Sequence, residues 1–249
     1  MYYDNLFNAY YIKYLGISIK DLNDGKSIFK CSQGENPVNN WYFQHLIITK
    51  INGMNVFSIT PSMYKDFVDF ITPFENMDIM QISKVLKEFF DNKLEKYKIR
   101  RMYRMTLDVA QKISNIPNNV IRLTKEILMN SVQAIDEEEK EKLWHRKSDE
   151  VNQGRQYVIL DGNKIVSYCK VSNIDCNGGN LTVYTNEKYR NKGYGSLVSI
   201  GAIRWCIENG VVPIYWVDEK NAASIALAKS LGFKVMSEEL VVGTIAEIS

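Results

Sequence analysis

The sequence predicts an α/β (α+β) fold: a mixed sheet with helices on its faces fills the second half of the chain, and a smaller α/β domain precedes it. Three observations predict it. Two β-branched runs flank Asn52-Gly53 and two apolar runs flank Asp161-Gly162, dipeptides that tolerate the positive φ of tight hairpin turns. From residue 118 onward, strand-like and helix-like periods follow one another in the order β-α-α-β-β-β-α-β-α-β. Within that order, Arg190-Asn191-Lys192-Gly193-Tyr194-Gly195 separates a β-rich run from a long apolar helical run.

The first half is read from its start. Asp4 to about Ile19 is mixed, with tyrosines every few residues, and predicts one or two short helices. Residues 25–40 carry Gly, Ser, Asn and Pro37 and read as loop. His45 to Thr60 is a hairpin about Asn52-Gly53, closed by Pro61. Ser62 is placed to cap a helix through Met63, Phe67, Phe70 and Ile71 that Thr72-Pro73 ends. A second helix spans Met77 to Phe90, with Ile79, Ile82, Leu86 and Phe89 on one face. Lys93 to Arg104 holds six basic residues against one acid; without interleaved stacking positions it reads as a solvated face rather than an anion-binding stripe. Asn115-Ile116-Pro117-Asn118-Asn119 is the best boundary, dividing the chain into 1–117 and 118–249.

The second half opens with a strand at Val120 to Leu123 and a helix start at Thr124. Asp136 can cap the next helix, with Glu139 at the capping-box position. Gln156 to Leu160, Lys164 to Ser172 and Leu181 to Thr185 are strands, the last entered from an Asn177-Gly178-Gly179 turn. A helix from Tyr194 to Glu208 ends at Asn209-Gly210. Pro213 to Val217 is a strand, Asn221 caps a short helix through Leu231, and Phe233 to Val235 begins a last strand that pairs with Glu239 to Val242.

Composition bounds the function. A chain of 249 residues with 45% apolar and 24% charged residues describes a soluble globular protein, and a net charge of +2 argues against a nucleic-acid polyelectrolyte. Cys31, Cys169, Cys176 and Cys206 form no C-x-x-C pair and read as reduced thiols. The start lacks a secretion signal, and no run is long and apolar enough to span a bilayer, so the cytoplasm is the expected location. His45 and His145 lie a hundred residues apart, which predicts structural histidines and no metal site.

The loop Arg190 to Gly195 is suited to an anion, because its glycines let backbone N–H groups converge at a helix N-terminus while Arg190 and Lys192 add charge. It is neither a Walker A loop nor a complete dinucleotide fingerprint. Strand, R-x-x-G-x-G, long helix, strand, Asn221-x-x-Ser224 and Leu231-Gly232-Phe233 together resemble the GCN5-related N-acetyltransferase (GNAT) superfamily over roughly residues 118 to 249. Within it, WVDEKNAASIALAKSLGF and the extra N-terminal half resemble a bacterial subgroup with an accessory N-terminal α/β domain. That half has the order of a degenerate copy of the same unit, although no sequence repeat supports one.

The resemblance implies a mostly antiparallel sheet and acetyl-CoA as donor. Backbone N–H groups of Lys192, Gly193, Tyr194, Gly195 and Ser196 would hold the pyrophosphate, with Arg190 and Asn191 opening the loop. Val183, Tyr184 and Thr185 would pair with the pantetheine arm, and Tyr184 or Thr185 would give a backbone contact to the oxyanion. Asn221 and Ser224 would stand near the arm, where a helix N-cap is an equally good reading of Asn221. The implied acceptor is the primary amine of a small molecule, a metabolite or antibiotic; the oligomeric state stays open.

The catalytic groups are less legible. An alkyl amine of pKa about 10.4 is only about 0.04% neutral at pH 7, so attack requires roughly 4–5 kcal/mol of deprotonation. Asn180 and Thr182 occupy positions where some relatives place an acid, and Ala228 stands where many carry a tyrosine. Asp175, Glu187, Asp218 and Glu219 read as loop or capping residues. Tyr184, Tyr194 and Tyr215 are alternative phenols, and Trp41, Tyr215 and Trp216 are candidate acceptor walls, with packing as the default for each. The missing acid and tyrosine leave an alternative, a catalytically silent acyl-CoA-binding regulatory module.

Overall fold

The computed structural model describes residues 2–23, 25–32, 42–107, 115–132 and 136–245. In chain order the elements are α1 (Tyr2–Tyr14), β1 (Ile28–Cys31), β2 (Tyr42–Ile51), β3 (Met54–Ile59), α2 (Tyr64–Ile71), α3 (Ile79–Asp91), β4 (Lys98–Leu107) and β5 (Ile121–Arg122). There follow α4 (Lys125–Ser131), α5 (Glu137–Asn152), β6 (Gln156–Asp161), β7 (Lys164–Asp175), β8 (Gly178–Thr185), α6 (Tyr194–Glu208), β9 (Val212–Asp218), α7 (Ala222–Ser230) and β10 (Phe233–Ile245).

These elements form two compact units, each discontinuous in sequence. One is Met1–Met105 with Trp216–Ala222 and Val235–Ser249; the other is Thr106–Tyr215 with Ala223–Lys234. The halves 1–117 and 118–249 follow the chain, and these units do not. The reason is β10: the pair of short strands expected at 233–235 and 239–242 is one continuous strand, which leaves the second unit after Lys234 and runs antiparallel to β2, Leu240 opposite Ile48 and Val241 opposite Ile47.

In the first unit the β2–β3 hairpin turns on Asn52 and Gly53, at φ 51° and 81°, as the Asn-Gly pair predicts. Part of the stretch read as loop is strand instead. β1 runs parallel to β3, Ile28 opposite Val56, and Phe29 stacks on Phe57 with centroids 4.9 Å apart; Pro37 and Trp41 lie outside the described residues. Ser62 does not cap α2: it sits in a 3-10 turn, Pro61–Met63, and the N-cap is Met63 without a side-chain bond. α3 begins at Ile79 because Asp78 accepts a bond from the Met80 N–H at 2.9 Å. Ile82, Leu86 and Phe90 from α3 and Phe67 from α2 pack on Leu46 and Phe57 of the sheet, all fully buried, each worth about 1.5–3 kcal/mol of transfer free energy.

The second unit carries a mostly antiparallel sheet. β5–β6, β6–β7 and β7–β8 are antiparallel and β8–β9 is parallel. Thr124 caps α4 through the Ile127 N–H, and Asp136 caps α5 through the Glu139 N–H. α6 packs closely on the sheet at Gly201, where a Cβ would come within 2.4 Å of the Tyr157 ring. Leu123, Leu128, Val151 and Val158 form a separate cluster for α4 and α5. No helix among the described residues is long and apolar enough to cross a membrane.

Candidate functional site

The site is built where β8 ends and α6 begins, within the second unit. β8 pairs with β9 only at Gly178↔Val212, Gly179↔Pro213 and Asn180↔Ile214. Beyond Asn180 the strand continues for five residues and, among the described residues, has a partner strand on its β7 side alone. The Asn186 N–H bonds Val166 O at 2.9 Å in the same register, so the alternation of an antiparallel ladder turns the backbone groups of Thr182 and Tyr184 toward β7 and those of Val183 and Thr185 away from it. Tyr184 O also accepts a bond from Ser167 Oγ at 3.0 Å. Of the two backbone oxyanion contacts expected, Tyr184 is therefore committed to β7, and Thr185 faces the open edge. The Tyr184 ring is exposed and stacks on Tyr168 at 5.4 Å.

The loop that follows is pinned locally. Asn186 accepts from the Lys188 N–H and starts a single 3-10 turn, Glu187–Tyr189. Tyr189 donates to Asp161, stacks on Tyr194 at 6.4 Å, and lies under Lys192, whose Nζ is 5.2 Å from the ring centroid. Arg190 donates from Nε to Thr185 O at 3.3 Å and stands 3.7 Å from Glu187. Asn191 and Gly193 take positive φ, 62° and 76°. Gly193 is the N-cap of α6 and supplies no side-chain bond, so the N–H groups of Tyr194, Gly195 and Ser196 have no helical acceptor. A Cβ at Gly193 would meet nothing within 4 Å. Gly195 sits close to Leu227 of α7 and to Val183 and Thr185 of β8, with Cβ distances of 3.4–3.6 Å. An unpaired strand edge thus leads to an uncapped helix start, an arrangement that can hold an extended amide-bearing chain and then an anion.

The remaining sequence candidates divide. Ser224 on α7 hydrogen-bonds the Tyr215 phenol, whose pKa burial pushes up; Tyr215 also meets Phe233 edge to face, so it is packed inward rather than presented as an acid. Ala228 is fully buried and brings no polar group. The Asn221 N–H bonds Asp218 O at 2.9 Å, directly before α7. On β8, Thr182 Oγ1 donates to Ser172 Oγ at 3.2 Å, and Ser172 Oγ donates to Asn180 O at 3.1 Å.

One polar cluster lay beyond the sequence reading. Arg104, placed in a solvated basic run, is 1% exposed in the first unit and donates to both carboxylate oxygens of Glu239. Tyr10 accepts from Arg104, while Tyr11 and Trp216 donate to Glu239 at 2.8 and 2.9 Å. Burial pushes the Tyr10 and Tyr11 phenols up, so both stay protonated. The alternation apolar-basic in MYRM was the available signal, since Met102 and Arg104 share the inward strand face.

Comparison with known proteins agrees with this geometry. A family model described as GNAT acetyltransferase matches residues 69–239. The chain is 33% identical over 130 residues to the Uncharacterized N-acetyltransferase YdfB of Bacillus subtilis (strain 168), a match covering 51% of this chain and 49% of that relative, about half of each. Among solved structures, a GCN5-related N-acetyltransferase-like protein from Streptococcus suis 89/1591 is 17% identical, with a TM-score of 0.46 over 80% of this chain and 82% of that one. An acetyltransferase from the GNAT family from Colwellia psychrerythraea is 10% identical, with a TM-score of 0.46 over 83% and 85%. The family match spans most of the chain, both strands of the open edge and the whole of α6: the protein belongs to the GNAT acetyltransferase family.

Proposed function

We propose that the protein transfers an acetyl group from acetyl-CoA to the primary amine of a small molecule, and that residues 118–249 carry the donor site. The observation that supports this reading is the succession of an unpaired β8 edge, a left-handed Gly193 and an uncapped α6 start. Acetyl-CoA, when bound, supplies an acyl group already activated as a thioester. Val183 offers the backbone donor and acceptor that would align its amide-bearing arm as an added strand, with Thr185 next along the same edge. Gly193, Tyr194, Gly195 and Ser196 offer converging N–H groups to its pyrophosphate, and the empty space at the Gly193 Cβ position is where that group would approach. Arg190 and Lys192 add positive charge at the rim.

On the acceptor side, Thr185 N–H is the backbone donor available to the carbonyl oxygen that gains negative charge. Thr182 Oγ1 gives its own proton to Ser172, which leaves its lone pairs to accept from an amine N–H. This orients an amine without deprotonating it, and the neutral fraction of the acceptor would then enter directly. A regulatory acyl-CoA-binding module is the second reading, and buried Ala228 in place of a phenol is the observation that favours it.

Titration calorimetry with acetyl-CoA, followed by thiol release on a panel of amines, separates the two. Micromolar binding with turnover of at least one amine supports transfer, and binding with no turnover across the panel supports the silent module. Absence of acetyl-CoA binding would sink both.

A further inference from the structure

The first unit holds a cavity of about 360 Å³, a volume in the range of small-molecule sites, and every residue that lines it belongs to that unit. Its lining includes buried polar side chains: Thr49 of β2 and Ser237 of β10 are 1% and 8% exposed. Ile79, Met80 and Met236 add apolar walls, and Met80, in the first turn of α3, is half-exposed.

The hydroxyls of this lining have no proton to spare. Tyr11 Oη lies 2.8 Å from Glu239 Oε1 and 2.8 Å from Ser237 Oγ; Ser237 Oγ lies 2.7 Å from Thr49 Oγ1, which lies 2.9 Å from the Glu238 carbonyl. Those four contacts share the three hydroxyl protons of Tyr11, Ser237 and Thr49. Glu239 accepts from Arg104 through both oxygens and brings none. This side of the cavity therefore has lone pairs to receive a ligand hydrogen and none to give.

The charges have the same bias. Asp78 Oδ1 accepts from the Met80 N–H, and Oδ2 stands 3.8 Å from Lys50, beyond hydrogen-bond distance. Arg101 is shared between Glu238 at 3.0 Å and Glu219 at 3.1 Å, and Glu238 Oε1 has no donor among the described residues. Three acids, Asp78, Glu219 and Glu238, are thus answered by two cations, Lys50 and Arg101.

We propose that this cavity binds the primary ammonium group of a small molecule. Asp78 and Glu238 supply the charge, Ser237 and Thr49 the lone pairs, and Met80 and Met236 the wall for its apolar body. An ammonium has three N–H donors and no acceptor, which matches both the hydroxyl network and the excess of carboxylate. Held by carboxylates it keeps its proton and is no nucleophile, so the site recognises a ligand without activating it. The proposal stands on the first unit and does not depend on the acetyl-transfer reading.

The test is calorimetric titration of the full chain at pH 7, without acetyl-CoA, using 2-phenylethylamine, neutral 2-phenylethanol and the anion 3-phenylpropionate. Saturable binding of the amine alone is expected. Glu238→Gln and Asp78→Asn, the second of which preserves the cap of α3, should each weaken it at least about tenfold. Lys50→Met, which removes the cation nearest Asp78, should tighten it about threefold. Absence of amine binding, equal binding of the alcohol or the acid, or unchanged affinity in either folded carboxylate variant would overturn the proposal, as would loss of amine binding in Lys50→Met.

Discussion

Arg104 and Glu239 lie 135 residues apart in the chain, yet form a two-point ion pair sealed from solvent, Nε to Oε1 at 2.5 Å and Nη2 to Oε2 at 3.2 Å. Removing one partner leaves the other charge buried and uncompensated. Arg104→Ala should therefore lower the stability of the protein by about 3–5 kcal/mol in urea denaturation, while the apolar pair Arg104→Met with Glu239→Leu should recover only part of that loss, because Tyr11 and Trp216 lose Glu239 as acceptor. Equal loss in the single and double variants would show that the stacked aromatic rings, and not the charges, hold this region.

Gly193 separates backbone strain from occupied space. At φ 76° a β-branched residue is strained by about 1–2 kcal/mol, yet its Cβ meets no atom of the protein itself. Gly193→Val should fold with a modest loss of thermal stability and lose acetyl-CoA binding. Gly193→Asn, which tolerates the left-handed region, should fold nearly as well as the parent and still bind weakly. Parent-like affinity in both, measured by calorimetry, would remove the loop from the donor site.

Gly179 is a packing glycine. A Cβ there would lie 2.8 Å from both Val171 Cγ1 and Val211 Cγ1 and 3.4 Å from Cys206 Sγ. Gly179→Ala should cost about 1–3 kcal/mol through overpacking, and Gly179→Ala with Val211→Ala should regain part of it. Thermal unfolding of the three proteins checks this.

The thiols should react in two classes. Burial pushes the Cys169 thiol up to about 12, against the opposing hydrogen bond with Ser199, and raises Cys206 as well. The thiolate is the reactive form, and both side chains are closed to solvent, whereas Cys31 is exposed and Cys176 is half-buried. Iodoacetamide at pH 8 should modify Cys31 and Cys176 in the native protein and all four after denaturation. Peptide mass spectrometry reads the sites directly, and fast native labelling of Cys169 would contradict the packing of β7 against α6.

Local chemistry was legible where a few adjacent residues decide it. Asn52-Gly53 and Gly162 set hairpin turns because these residues take positive φ readily; the second turn falls one residue later than Asp161-Gly162, since Asp161 still pairs with Lys164. Thr124 and Asp136 set helix starts because their side chains bond the next turn. The Ser62 cap failed on the same local scale, since Pro61 draws the chain into a 3-10 turn first. Strand β1 was hidden because its stability comes from the parallel partner β3, not from its own four residues.

The start of α6 follows from local sequence: Gly193 admits the left-handed φ of 76°, and the apolar run behind it forms the helix. Long-range contacts set which backbone groups are left over and which charges are answered. Among the described residues β9 pairs with β8 only as far as Ile214, so Val183 and Thr185 turn their backbone groups to an edge without a strand; β10 runs beside β2 and brings Glu239 to Arg104. Pairing and neutralisation are relations between residues far apart in the chain, and only the folded contacts set them.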